Sequence, residues 1–167
     1  IIYQKDKVAE AKNLINSSYD DNLGIMDNFN YPVTRSQALN SFHSFLEERL
    51  INFGAYEDAI VKNESTLFHS IITPYLNIGL ITPNDIIQQV LDFSSDNAIP
   101  LNSLEGFIRQ IIGWREFMRG IYTADGVKQR NSNFWNYNKS MPKSFYDATT
   151  GIEPLDDTIK KCLNSGY

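Results

Sequence analysis

Apolar residues recur along this chain at helical spacing. Val8, Ala11, Leu14 and Ile15 fall on one side of an amphipathic first helix that ends in the polar residues 17–22. After a loop through Pro32, Thr34-Arg-Ser-Gln37 has the form of a capping box, in which two side chains each satisfy an otherwise free backbone amide. From there Ala38, Leu39, Phe42, Phe45, Leu46, Leu50 and Ile51 make one stripe, predicting a helix of about five turns that Gly54 closes. Thr82-Pro83-Asn84-Asp85 is a second start signal, with a hydroxyl cap, proline at the first helical position and an acid in the first turn; its helix runs to about Phe93. Beyond Pro100, Asn102 with Glu105 is expected to cap a long helix reaching about Tyr122. Residues 123–145 are rich in Asn, Lys, Gly and Ser and predict a long ordered loop pinned by Phe134, Trp135, Tyr137, Phe145 and Tyr146. A last helix is expected from about Leu155 to Leu163, with Gly166 as its C-terminal cap. No stretch sustains the two-residue alternation of a strand, so the fold class is all-α, a helical bundle in a single domain over residues 1–167.

The long helix carries two features that packing periodicity alone does not explain. Gly106, Gly113 and Gly120 lie seven apart on one narrow face. Each interior glycine costs about 1 kcal/mol relative to alanine, so close approach of another helix or of a flat ligand is needed to offset the stripe. Arg115 falls inside the apolar band beside Ile108 and Ile111, where an unpaired guanidinium is strongly penalised. It therefore requires a carboxylate, such as Glu48 or Asp58, or an anionic ligand. Arg109 and Glu116 sit on the polar side and read as a solvated face.

In His69-Ser-Ile-Ile-Thr-Pro-Tyr-Leu, the hydroxyls of Ser70 and Thr73 flank an apolar pair, and Pro74 fixes a local turn. Hydroxyls and free amides at a helix start can hold a phosphate, and the same residues can simply cap a helix. His69 taken alone reads as a hydrogen-bonded core histidine, and His43 carries no special signal.

Composition narrows the classes. A chain of 167 residues is long enough for one real core. Its net charge of −5 argues against a freestanding nucleic-acid binder, whose domain would be basic. One cysteine, Cys162, allows neither a disulfide framework nor a cysteine metal cluster from this chain alone. No apolar run approaches the roughly 20 residues of a membrane span, and the first residues lack the order of a signal peptide, so a cytoplasmic location without membrane contact is expected.

Taken in order, FNYPVTRSQAL (29–39), RLINFGAYEDAI (49–60), LFHSIITPYLNIGLITP (67–83) and PLNSLEGFIRQIIGWREFMRGIY (100–122) resemble the FAD-binding helical domain of the photolyase and cryptochrome family, in its prokaryotic branch of bacterial (6-4) photolyases and bacterial cryptochromes. The resemblance covers nearly the whole chain. It implies FAD as cofactor, its pyrophosphate held by the family's Ser-x-Leu-Ser-Pro-Tyr-Leu-like segment, which here places Ser70, Ile72 and Thr73 at those positions and His69 just before them. Tyr56 matches a tyrosine lining the cofactor cavity, and Phe107 falls near an aromatic of the adenine or substrate cavity. Trp114, Arg115, Glu116 and Phe117 keep the family's Trp-Arg-Glu-Phe signature, whose arginine pairs with a buried acid and the flavin site. Gln110 lies near the family's cofactor-contacting glutamate, with Gly113 as an extra residue in between.

The departures set the scope. Nothing resembles the N-terminal α/β antenna lobe, and the sequence stops at Tyr167, before the helices that in this family hold the flavin ring and the electron-transfer chain. The chain thus reads as the first part of the flavin domain, its partners being the rest of its own polypeptide and, in the intact protein, damaged DNA. Iron-sulfur members carry a cysteine near residues 151–155, where this chain has Pro154, and Cys162 is no obvious substitute, which argues against a cluster. No catalytic residue is assigned. The expected activity of the whole is light-driven DNA repair by reduced FAD; a cryptochrome-type photoreceptor and a helical interaction module without flavin are the alternatives.

Overall fold

A computed structural model describes residues 2–22, 24–26 and 29–165, and among them every regular element is helical. Eight helices follow in order: α1 (Ile2–Ser18), α2 (Arg35–Glu48), α3 (Leu50–Tyr56), α4 (Thr73–Asn77), α5 (Pro83–Asp96), α6 (Leu101–Arg130), α7 (Ser144–Asp147) and α8 (Glu153–Ser165). They form two compact units, one built from α2 to α6 and the other from α1, residues 60–65, α7 and α8.

The α2–α6 unit holds the core. Both of its start signals form as the sequence dictates. Gln37 donates its backbone N–H to Thr34 Oγ1 at 3.3 Å, and Thr82 and Asp85 form a reciprocal capping box at the head of α5. Arg35, in the first turn of α2, ties the two helix starts together by donating to Leu80 O and to Asp85 Oδ1, each at 3.0 Å. This guanidinium, with the Thr82 N–H and hydroxyl, lowers the Asp85 carboxyl to about 2. Phe42, Phe45, Phe53 and Phe107 make an aromatic centre, with Phe45 and Phe107 at 4.8 Å between ring centroids, surrounded by Leu50, Ile72, Tyr75, Ile81, Ile86, Val90 and Ile111. Tyr75 is buried, and its hydroxyl meets the Ser41 hydroxyl at 3.2 Å, fixing α4 against α2.

Several predicted elements differ. The five-turn helix is two helices, because Arg49 leaves the helical region (φ −124°, ψ −28°) and turns α3 onto α6. Gly54 does not end a helix; it sits within α3 where the backbone of α6 crosses. Pro100 rather than Asn102 precedes α6, and no side chain caps that start. The long helix continues past Tyr122 to Arg130, so residues 123–130 are helical rather than loop: Gly126 is the poorest former there, and it packs beside the Tyr122 ring. Phe134, Trp135, Tyr137, Phe145 and Tyr146 do not pin the following segment, since all five are exposed.

In the other unit, α1 is longer than predicted, and of its apolar positions Val8 is half-buried while Ala11, Leu14 and Ile15 are exposed. Leu155, Ile159 and Leu163 give α8 a half-buried stripe. Asp156 accepts from the Thr150 hydroxyl and from the N–H groups of Thr150 and Gly151, and the hydroxyl bond in particular keeps its carboxyl below the usual range. Lys62 is paired with Glu153 and Lys161 donates to Glu64 O at 2.8 Å, which fastens residues 60–65 to α8. Gly166 lies outside the described residues, and no described helix is long and apolar enough to cross a membrane.

Candidate functional site

Helix α3 is the hub that brings the two motif-bearing stretches together. Its Phe53 meets Phe107 of α6 edge to face at 5.5 Å and His69 edge to face at 6.1 Å. Tyr56, at the end of α3, stacks on Phe68 at 5.1 Å, and Glu57 accepts a hydrogen bond from Gln110 Nε2. Segment 66–70 and the first three turns of α6 therefore share one neighbour. The close crossing of α3 and α6 depends on Gly54, whose N–H donates to Ser103 Oγ at 2.9 Å, while the same hydroxyl donates to Ile51 O at 3.1 Å. Ser103 is the buried polar residue that makes this contact specific.

The segment proposed from sequence to grip a phosphate has an unusual backbone. Leu67 (φ 45°) and Ile71 (φ 56°) both lie in the left-handed region, which a β-branched side chain rarely occupies. Such strain persists only where surrounding packing imposes it and tends to gather at ligand clamps. Here Ile72 supplies the anchor: its side chain is 3% exposed and belongs to the core, so only its backbone faces outward chemistry. Thr73 is the first residue of α4 and Ile72 its cap position, with no side-chain capping bond. Neither the Ser70 nor the Thr73 hydroxyl is hydrogen-bonded among the described residues. The capping alternative for these two hydroxyls is thus not realised. His69 is exposed rather than a core histidine.

On α6 the candidates divide by depth. Phe107 is 2% exposed and is part of the aromatic core, so its ring does not line an open surface. Gln110 is half-buried against Glu57. Trp114 is exposed, set edge to face with Phe117 at 5.9 Å. Arg115 is half-buried and, among the described residues, forms no ion pair or hydrogen bond, so neither Glu48 nor Asp58 supplies the acid that its setting demands. Arg109 and Glu116 instead form solvated pairs with Glu105 and Arg119, as their polar face implied. Gly113 and Gly120 have no close neighbour of another helix, and Gly106 makes only ordinary contacts with Phe53 and Glu57. Among the described residues the glycine stripe is therefore covered only at Gly106, which is buried against α3, and not at Gly113 or Gly120.

Sequence reasoning missed three residues that organise the site, Phe53, Glu57 and Phe68. Glu57 had a readable signal, since it follows Tyr56 inside the same motif and a half-buried Gln110 needs an acceptor. Cys162 is exposed on α8, and among the described residues no group of three or more His, Cys, Asp or Glu side chains is placed to hold a metal ion.

No family model matches the chain. It is 34% identical to a (6-4) photolyase of Agrobacterium fabrum over 167 residues, a match that takes in 99% of this chain and 33% of that protein. It is 39% identical to an uncharacterized protein of Acanthamoeba polyphaga mimivirus over 112 residues, 66% of this chain and 85% of the viral one. The chain spans about a third of the length of the photolyase it matches. With its helices, its ordered motifs and a likeness along its own whole length to a third of that enzyme, the chain belongs to the bacterial photolyase-related family.

Proposed function

We propose that this chain forms the first wall of an FAD pocket in a light-driven DNA repair protein of the photolyase type. The single observation that carries the reading is the 34% identity to a (6-4) photolyase along the whole chain. Three features of the residues fit the cofactor. Ser70 and Thr73 have hydroxyls not engaged elsewhere among the described residues, at the start of α4, where helical N–H groups lack intrahelical partners and favour anions. Arg115 is half-buried and has no carboxylate partner among the described residues, as a side chain awaiting an anion would be. Trp114, Phe117 and Met118, spaced i, i+3 and i+4, expose apolar surface on one side of α6, suited to a large flat ligand or to the remaining wall of its cavity.

In this reading the flavin supplies light-driven electron transfer to a pyrimidine photoproduct, and the residues of this chain do positioning and electrostatics. Ser70 and Thr73 donate to the diphosphate, Arg115 neutralises charge, and Tyr56, His69 and Gln110 shape the rim. Ile72 and Phe107 hold these groups in place from the core. The 167 residues alone retain FAD weakly or not at all, because burial and polar contacts from the missing wall are lost.

The test is made on the full-length protein. Purified protein is expected to show flavin absorbance and to repair a damaged oligonucleotide under blue light, and Arg115→Ala is expected to lower FAD affinity by about 10- to 100-fold, the loss of one or two charge-assisted hydrogen bonds. Protein that is colourless and gains no flavin bands on addition of FAD refutes the reading. Flavin without repair assigns the family's photoreceptor role instead. A helical module without flavin is the second reading, and the mimivirus relative favours it: the match fills 85% of that protein, which leaves little room there for the other two thirds of a photolyase.

A further inference from the structure

Beyond α6 the chain makes a small turn that belongs to neither the core nor the proposed flavin wall. Asn133 clamps it by donating from Nδ2 to Tyr137 O at 2.7 Å and accepting the Tyr137 N–H on Oδ1 at 3.1 Å. Asn136 takes the left-handed conformation (φ 52°) that asparagine tolerates, and its N–H returns to Asn133 O at 3.0 Å. The clamp holds three aromatic rings outward. Phe134, Trp135 and Tyr137 are 85%, 70% and 76% exposed. Phe134 meets Trp135 edge to face at 4.9 Å, and the Trp135 and Tyr137 planes are within 19° of parallel. Such surface is costly to leave in water, and here it is fixed in advance rather than loose.

The charge around the rings is opposite to that of the protein. Residues 128–140 carry Lys128, Arg130 and Lys139 and no acid, in a chain of net charge −5. Among the described residues none of the three is in an ion pair; Arg130 lies over the Tyr122 ring at 5.9 Å. Preset aromatic faces between unneutralised cations are the chemistry of single-stranded nucleic-acid binding, in which bases stack on rings and phosphates meet Lys and Arg.

We propose that the turn at 133–137, with Lys128, Arg130 and Lys139, is a contact site for unpaired nucleotides of a DNA strand. The choice of DNA as the polyanion rests on the repair function proposed above; the stacking and charge rest on this turn alone.

The test measures anisotropy of a fluorescein-labelled oligothymidylate with the full-length protein as a function of salt. Trp135→Ala is expected to weaken binding roughly 5- to 150-fold, the range for loss of one stacked base. The triple variant Lys128→Gln, Arg130→Gln, Lys139→Gln is expected to weaken binding and to reduce the slope of log affinity against log salt by about 2. Far-UV circular dichroism is expected to be unchanged, since these side chains are exposed. Wild-type affinity in both variants overturns the inference. So does loss of self-association by Trp135→Ala without change in oligonucleotide affinity, which would assign the turn to a second copy. Flavin absorbance and light-driven repair are read on the same samples: their absence with Trp135-dependent binding refutes only the repair reading, whereas their presence with unaffected binding refutes only this site.

Discussion

Gly54→Ala and Gly120→Ala are the same chemical change in a helix, yet the structure gives them opposite signs. Helix propensity alone makes both stabilising by about 1 kcal/mol. At Gly120 nothing lies within 4 Å of the added Cβ, so that gain is expected in full. At Gly54 the added Cβ falls 2.4 Å from the Asn102 carbonyl carbon, 2.5 Å from its oxygen and 2.5 Å from the Ser103 nitrogen. These are backbone atoms of α6 and cannot rotate away. Restoring an ordinary contact requires α3 and α6 to separate by about 1 Å, which loosens the Phe53–Phe107 contact and stretches the Gly54–Ser103 hydrogen bond. Overpacking of a rigid site costs up to about 3 kcal/mol and a weakened hydrogen bond about 1 kcal/mol, against the 1 kcal/mol gained, so a net loss of about 2–3 kcal/mol is expected. Urea unfolding followed by far-UV circular dichroism gives both values. A Gly54→Ala protein as stable as the wild type would refute the close crossing and with it the placement of α3 as hub of the site.

Two other changes probe the same unit. Ser103→Ala removes both the bond from Gly54 N–H and the bond to Ile51 O, and is expected to cost about 1–3 kcal/mol by urea unfolding, with no gain from the smaller side chain. Asp85→Asn is expected to cost about 1 kcal/mol near neutral pH through the weakened capping box and the Arg35 pair. Because the folded Asp85 carboxyl is lowered to about 2, its stabilisation is whole above the unfolded value near 4 and fades as the pH falls towards 2; the wild-type and variant stability curves should converge over that window.

Much of the fold was legible because local chemistry and packing agree in α2, α5 and the first half of α6. Thr34, Thr82, Pro83 and Asp85 state their helix starts outright, and Phe42, Phe45, Ile86, Val90, Phe107 and Ile111 are at once periodic and buried. The break at Arg49 was not legible, because no glycine or proline marks it and its cause is tertiary: α3 turns to meet α6. The end of α6 was misplaced for the opposite reason. Residues 123–130 have no apolar stripe, yet helix propagation needs none when each added residue contributes a hydrogen bond and no breaker intervenes. Of the candidate site, the hydroxyls of Ser70 and Thr73 and the depth of Arg115 could be read from spacing. The backbone strain at Leu67 and Ile71 could not, since both are residues that ordinarily avoid that conformation.

The course of α6 bears on how the site is used. Its first three turns are committed: Ser103, Gly106, Phe107 and Ile111 are buried, and their neighbours on α3 are fixed by a buried hydroxyl and the edge-to-face contact of Phe53 with Phe107. From Ile112 onward the same helix keeps large apolar side chains but leaves them open, with Trp114, Phe117, Met118 and Tyr122 each more than half exposed. A helix evolved only to be solvated would replace these residues with charged ones, and one evolved only to pack within these 167 residues would not carry Gly113 and Gly120 on open ground. Both features make sense if the second half of α6 is a surface against which something else is placed, next to Arg115, which forms no ion pair among the described residues. On the proposed reading, the packed half of the helix is the fixed post and the open half is the part of the pocket wall that faces the cofactor.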